Sequence, residues 1–251
     1  MCIRDRVNTE PKDMYLSRVA AINGGCAQET PAYNVNRLCG SGLQAIVSAS
    51  QSILLGDTDV AIGGGAENMS RAPFASLNMR WGARMGDTKM VDMMIGALHD
   101  PFHTIHMGVT AENIAAKWGI SREEQDALAV ESHNRAERAT AAGYFKSQIT
   151  PVMLKSKKGE VAYDTDEHFR AGATLADMAK LKPVFVKDNG TVTAGNASGI
   201  NDAAAAVVLM EAATAKARGL RPLARLVAYA HAGVDPKYMG LSLIHISEPT
   251  R

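Results

Sequence analysis

The sequence predicts an α/β fold whose chain carries an inserted segment. Helix and strand signals alternate through the first part of the chain, as is typical of α/β domains. From Ser70 to Asn189 the composition shifts towards methionine, histidine and charge, and small apolar residues then return in "NASGINDAAAAVVLM". These two observations indicate one α/β layer that the chain leaves and later re-enters.

The first elements follow from periodicity and from residues that end helices. Residues 13–22 have the spacing of an amphipathic helix, which two glycines end. "PAYNVN" predicts a short strand, residues 41–55 predict a helix of small and aliphatic residues, and "DVAIGG" from Asp59 predicts another strand. The order helix, strand, helix, strand supports the predicted fold class.

The later elements are predicted in the same way. A helix is expected over residues 110–118, and a longer one begins after Ser121, because Ser121 and Glu124 have the spacing of a capping box. Residues 163–170 read as a polar loop. "NDAAAAVVLM" then predicts a strand, followed by a short helix and a second strand in "LARLVAYAHAG".

Composition excludes several classes of partner. The 251 residues include 27 Lys and Arg against 26 Asp and Glu, so the net charge of +1 provides no attraction for nucleic acid or for an anionic membrane. No apolar run approaches the roughly 18 to 20 residues that span a bilayer. The three cysteines lack a disulfide pattern, which favours a reducing compartment, and we expect a cytoplasmic protein.

The two ends of the chain resemble translated sequencing adapters. They are "MCIRDR" at residues 1–6 and "LSLIHISEPTR" at residues 241–251. We expect both to be non-native tails, so Cys2, His245 and Ser247 are set aside as site candidates.

Cys39 is the strongest candidate for chemistry. It lies between a predicted strand and a predicted helix, where unpaired N–H groups and the helix dipole favour a thiolate. Gly40 and Gly42 allow a sharp turn and leave room for a substrate. Because the following helix is apolar, we expect the thiol at the floor of a pocket. The alternative is a buried structural cysteine, which is our interpretation of Cys26.

Three other segments have weaker signals. "AIGGGAENM" lacks the spacing of a phosphate-binding loop, and its glycines predict close passage beside another backbone. His99, His103 and His106 could in principle bind zinc, but Pro101 prevents one helix from carrying all three, so no metal is expected and His106 is interpreted as pocket lining. "TVTAGNASG" exposes main chain that suits either a pantetheine arm or a tightly packed turn.

Four motifs together resemble the thiolases, most closely the bacterial acetyl-CoA acetyltransferases and 3-ketothiolases. They are "NVNRLCGSGLQAI", "AIGGGAENMSRAP", "HMGVTAENIA" and "TVTAGNASGINDAAAAVVLM", and the likeness runs from Val7 to Gly240. The resemblance implies a thiolase-like layered α/β fold with an inserted loop subdomain. The implied organisation is a tail at 1–6, an N-terminal half at 7–70, a loop subdomain over CoA at 71–190, a return to the N-terminal half and start of the C-terminal half at 191–240, and a tail at 241–251.

The resemblance also implies a site. Cys39 matches the acyl-accepting nucleophile, and its N–H matches part of an oxyanion hole. The implied substrates are acyl-CoA and acetyl-CoA, with no cofactor, and the implied assembly is a homotetramer. Family contacts to pantetheine and CoA fall on Leu98, His106, Met107, Arg170, Phe185, Ala194, Ala197, Ser198 and Gly199.

This sequence departs from the family in three ways. Asp177 stands where biosynthetic members often have a serine that contacts CoA. The motifs "GHP", "CxGG" and "NEAF" do not occur, and His231 in "YAHAG" does not replace the missing histidine. We also expect the first strand of the family's N-terminal half to be missing. We therefore expect an inactive internal fragment.

Two alternatives remain open. One is a ketosynthase-type condensing enzyme, which shares the nucleophile and the fold. The other is a non-catalytic acyl-CoA-binding or assembly protein on the same fold. A "CxGG" motif further along the intact gene would support the transferase.

Overall fold

The computed structural model describes residues 2–4, 10–157 and 159–241. Contacts divide the chain into two compact units, residues 1–110 with 200–251 and residues 111–199. The second unit lies within a region that overlaps the loop subdomain of 71–190 implied by the resemblance, and the bounds of that subdomain stay a prediction.

The first unit contains the main sheet. Its strands are β1 (Cys2–Arg4), β2 (Tyr33–Val35), β3 (Val60–Asn68) and β8 (Asp202–Met210), and its helices include α1 (Leu16–Asn23), α2 (Ser41–Leu54) and α7 (Ala212–Ala217). The strand order is β2-β1-β3-β8. β1 is parallel to both of its neighbours, and β8 runs antiparallel to β3 along its whole length. Buried alanines and valine of α1 and α2 form the core of this unit.

β1 lies in the segment that was interpreted from the sequence as an adapter-like tail. Cys2–Arg4 pairs with Tyr33–Val35 and also with Gly63. The non-native origin of residues 1–6 and the loss of the family's first strand both stay predictions. Strand pairing uses main-chain groups, which any extended segment can supply, so an adapter-like sequence does not prevent it.

The glycine-rich strand β3 is confirmed as a place of close approach. A Cβ on Gly63 would lie 3.0 Å from the Cα atom of Ile46 in α2. A Cβ on Gly64 would lie 2.9 Å from the carbonyl oxygen of Ala205 in β8. Glycine thus lets the helix that follows Cys39 pack closely on the sheet.

The strand expected in "LARLVAYAHAG" is not formed. Residues 223–233 have no strand, and Leu223 and Val227 are 103% and 82% exposed. An extended segment becomes a strand only when a neighbouring backbone accepts and donates its hydrogen bonds. Within the described residues, this segment has no such pairing.

The first unit also contains a small sheet and the loop that leads to α4. Strands β4 (Phe74–Ala75) and β5 (Val91–Asp92) pair antiparallel, and α3 (Met93–Ala97) follows directly. Asp92 caps α3, because its Oδ1 accepts hydrogen bonds from the N–H groups of Met94 and Ile95.

The second unit is built mainly from helices. Its elements are most of α4 (Met107–Trp118), then α5 (Arg122–Ala141), β6 (Val152–Ser156), β7 (Gly159–Tyr163) and α6 (Leu175–Ala179). The predicted capping box at the start of α5 is confirmed, since Ser121 and Glu124 each bond to the other's main-chain N–H. The β6–β7 hairpin was not anticipated. No helix in the described part of the chain is long and apolar enough to cross a membrane.

Candidate active site

A tight turn carries Cys39 into helix α2. A 3₁₀ turn covers Leu38–Gly40, and Ser41 begins the helix. Ser41 Oγ accepts a hydrogen bond from the Arg37 N–H at 2.6 Å and donates one to the Leu38 carbonyl at 2.7 Å. Since Ser41 is 0% exposed, this hydroxyl is a fixed internal brace for the turn.

Leu38 has an unusual backbone conformation. Its φ of +48° lies in the left-handed region, which β-carbon-bearing residues seldom adopt. Its N–H donates to the Asn36 side chain at 2.9 Å, which helps to hold the turn in place. Strained residues held in this way are common at functional sites, so the conformation is consistent with a turn that aims Cys39.

The expectation that the Cys39 thiol lies at the floor of a pocket is wrong. Cys39 is exposed, whereas Cys26 is of intermediate exposure. The buried positions belong to the body of α2, including Ser41 and Ala45, while Cys39 lies one turn ahead of them. The apolar helix therefore buries its own face without burying Cys39, which lies two residues before it.

His231 lies close to this turn. Its Nδ1 accepts a hydrogen bond from the Arg37 guanidinium, which can only donate. Two residues earlier in the chain, the Tyr229 hydroxyl accepts a hydrogen bond from the Gln51 side chain at 2.7 Å. These two contacts attach the 229–231 segment to Arg37, which precedes the Cys39 turn, and to α2.

Three of the predicted CoA contacts come together at the start of α4. The Met107 N–H donates to the Leu98 carbonyl at 2.8 Å, and His106 is next to Met107 in sequence. The intervening loop is held by buried Asp100, whose carboxylate accepts from the N–H groups of Phe102 and His103. This loop therefore brings Leu98, His106 and Met107 to one place.

His106 is held in its neutral form. Its Nδ1 accepts a hydrogen bond from the Gly108 N–H at 3.0 Å, so the proton of the neutral ring is on Nε2. Burial, followed by the nearby His99, lowers the pKa of His106 below its ordinary value. The two rings meet edge to face with centroids 5.2 Å apart. Among the described residues, no group of three or more His, Cys, Asp or Glu could hold a metal ion.

The small-residue loop 194–199 lies in the second unit and is held by buried polar groups. Thr193 donates through its N–H to Asn196 Oδ1 at 2.8 Å, and its carbonyl accepts from the Ala197 N–H at 3.0 Å. The Asn196 amide donates to Asp126 Oδ1 at 2.9 Å. Asp126 is also paired with Arg122 at 2.6 Å. Ala194, Ala197 and Ser198 are exposed above this network.

Arg170 and Phe185 also lie in the second unit. Arg170 is exposed, and its N–H donates to His133 Nδ1 at 3.1 Å, so α5 holds the loop that presents the guanidinium. Phe185 is partly buried.

Asp177 does not stand as an isolated negative charge. Its carboxylate accepts from the Thr174 hydroxyl at 2.6 Å and pairs with Lys180 at 3.0 Å. The hydrogen bond from Thr174, followed by that from Lys180, lowers the pKa of Asp177. The negative charge at this position, where family members often have a serine, is thus partly balanced by Lys180.

The predicted site residues fall into two groups. Cys39, Leu98, His106 and Met107 belong to the first unit, and the other predicted contacts belong to the second. The convergence of the two groups on one cleft stays a prediction.

Known proteins match this chain closely. The sequence profile of the family described as "Thiolase, N-terminal domain" matches residues 2–213. The chain belongs to the thiolase family. A beta-ketothiolase, BktB, from Cupriavidus necator is 71% identical over 235 residues, which cover 94% of this chain and 60% of that protein.

Solved thiolase structures have the same fold. The acetyl-CoA acetyltransferase of Bacillus anthracis is 45% identical, with a TM-score of 0.89 over 95% of this chain and 60% of its own. Human mitochondrial 3-ketoacyl-CoA thiolase in complex with CoA is 41% identical, with a TM-score of 0.89 over 96% of this chain and 60% of its own. The thiolase-like α/β fold is therefore confirmed, and the chain spans about 60% of the length of these relatives.

Sequence analysis missed the residues that support the site. Ser41 braces the Cys39 turn, while Glu112, Asp126 and Asn196 support the 194–199 loop. All but Asp126 lie inside the quoted motifs. A polar side chain within a stretch of small residues could therefore have been predicted to support the site through hydrogen bonds. Asp126 lies in an ordinary helix sequence, and only the fold brings it to Asn196.

Proposed function

We propose that the chain is part of an acyl-CoA:acetyl-CoA C-acyltransferase that uses Cys39 as its nucleophile. The observation that carries the proposal is the position of Cys39, exposed in the braced 3₁₀ turn that leads directly into α2. Helix N-termini favour thiolates, and an exposed thiolate can reach a thioester. Membership of the thiolase family supports the same assignment.

The proposed reaction has two transfers. Cys39 Sγ attacks the carbonyl carbon of an acyl-CoA, the bond from that carbon to the CoA sulfur breaks, and CoA leaves as a thiolate that takes up a proton. A base then removes a proton from the α-carbon of acetyl-CoA. The resulting carbanion attacks the acyl carbon, Cys39 leaves as a thiolate, and a 3-ketoacyl-CoA forms. Thiolysis is the reverse.

CoA binding is proposed for the two groups of predicted contacts. Leu98, His106 and Met107 would contact pantetheine at the start of α4, and the exposed main chain of loop 194–199 would accept its amides. The geometry of each group supports this, since one is held by Asp100 and the other by Asn196. A family relative solved in complex with CoA supports the ligand class.

We also propose that this chain alone does not turn over. It lacks "GHP", "CxGG" and "NEAF", which in the family supply two acid–base groups and an oxyanion donor. Each acid–base group typically contributes about 10² to 10⁴ in rate. Val207 and Val208 on opposite faces of β8 are 46% and 64% exposed, which is consistent with packing partners outside this chain.

Three further assignments stay predictions: a cytoplasmic location, catalysis without a cofactor, and a homotetramer. The alternative function is non-catalytic acyl-CoA binding.

The test compares thiolysis of acetoacetyl-CoA by this chain with that by the protein from the intact gene. We expect turnover by the longer protein, none by its Cys39→Ala variant, and from this chain less than about 10⁻⁴ of typical turnover. A longer protein that binds CoA without turnover would favour the binding alternative. Cys39-dependent turnover by this chain would contradict the proposed loss of activity.

A further inference from the structure

We infer that Glu112 is a positioning residue whose carboxylate sets the conformation of the loop at 194–199. The inference rests on the proposed function, which assigns that loop to CoA. Glu112 lies on α4 and is 8% exposed. Both of its oxygens accept from the Thr191 N–H at 2.9 Å, Oε2 accepts from the Thr191 hydroxyl at 2.7 Å, and Oε1 accepts from the Val192 N–H at 2.9 Å.

The Glu112 carboxylate supplies the acceptors that the main chain at residues 191 and 192 needs. Two successive main-chain N–H groups need acceptors at a buried position, and an ionised carboxylate accepts without donating. At neighbouring Gly190, a Cβ would lie 2.1 Å from the Val186 carbonyl oxygen and 3.1 Å from Glu112 Oε1. Only glycine fits there, so the main chain can approach Glu112 closely.

Hydrogen bonds connect residues 191–193 to the proposed CoA contacts. The Val192 carbonyl accepts from the Val184 N–H at 3.0 Å, and Val184 directly precedes Phe185. Next along the chain, Thr193 bonds to Asn196 and Ala197, as described above. Glu112 therefore anchors both Phe185 and the loop through its hydrogen bonds to residues 191 and 192.

The test measures CoA affinity and local hydrogen exchange in the 251-residue chain. Glu112→Gln keeps the shape but replaces one acceptor oxygen with an NH₂ group, which cannot accept. Hydrogen bonds to charged groups are the stronger ones, so we expect about tenfold weaker CoA binding and faster amide exchange confined to residues 184–199. The matched control is Ala115→Gly, which weakens the same helix at a buried apolar position and should change CoA affinity less than about twofold.

The outcomes separate the inference from the proposed function. Unchanged affinity and unchanged exchange in folded Glu112→Gln would overturn the inference, as would an equal loss of affinity in Ala115→Gly. If the unaltered chain does not bind CoA, its proposed CoA site fails, and exchange alone decides whether Glu112 sets the loop. If Glu112→Gln does not fold, Thr191→Val is tested instead, because it removes only the hydrogen bond from the Thr191 hydroxyl. A loss of CoA affinity of about threefold would support the inference, and no loss would overturn it.

Discussion

Replacing Ser41 with alanine should destabilise the Cys39 turn by about 2 kcal/mol. The Ser41 hydroxyl is fully buried and accepts a hydrogen bond from the Arg37 N–H at 2.6 Å. The Leu38 carbonyl keeps a partner in the variant, because it also accepts from the Ser41 N–H. The cost therefore comes mainly from the Arg37 N–H, whose hydrogen bond is part-buried, and a donor left unsatisfied away from water costs about 1–3 kcal/mol.

Ser50→Ala is the control for this prediction. Ser50 is buried in the same helix, but its hydroxyl only donates to the Val47 carbonyl at 2.7 Å, which α2 already uses in its own hydrogen bonding. We expect urea denaturation to show a loss of about 2 kcal/mol for Ser41→Ala and less than about 0.5 kcal/mol for Ser50→Ala. Equal losses would refute the view that Ser41 braces the turn. The rate of Cys39 alkylation should change only in Ser41→Ala.

Three further predictions follow from the geometry. Gly63→Ala should cost about 1–3 kcal/mol by thermal denaturation, because its Cβ would press on Ile46, whereas Gly42→Ala, with open space around it, should not destabilise the chain. Iodoacetamide should label exposed Cys39 faster than Cys26, and equal rates would count against the nucleophile assignment. Because the pKa of His106 is lowered in the folded state, its contribution to stability is present above about pH 6.5 and is lost as the pH falls below that value. His106→Asn should therefore reduce the fall in melting temperature at acid pH. A melting temperature with the same pH dependence in the variant would contradict this prediction.

Local signals predicted most of the first unit and the start of α5 in the second. The helix after Cys39, the glycine-rich strand and the Ser121 capping box all depend on neighbouring residues, and each is present. Strand formation depends on distant partners. Residues 223–233 have the composition of a strand but no neighbour to pair with, while Cys2–Arg4 becomes a strand because two neighbours are available.

The site was predictable to a similar extent. Motif positions predict Cys39 as the nucleophile, which stays a prediction, whereas the exposure of Cys39 depends on what covers the turn, which no local pattern reports. Glu112 and Thr191 are far apart in sequence, so their bonding could not be predicted from spacing. The balance of the Asp177 charge was missed even though Lys180 lies one helical turn away.

The most direct test of the central claim is to locate the acyl group on the enzyme. The protein from the intact gene is mixed briefly with acetyl-CoA, quenched in acid and digested. The masses of its peptides are then measured by mass spectrometry. The account predicts one added acetyl group on the peptide that contains Cys39 and none in Cys39→Ala. An acetyl group on another residue, or full turnover by Cys39→Ala, would contradict the assignment of Cys39 as the nucleophile.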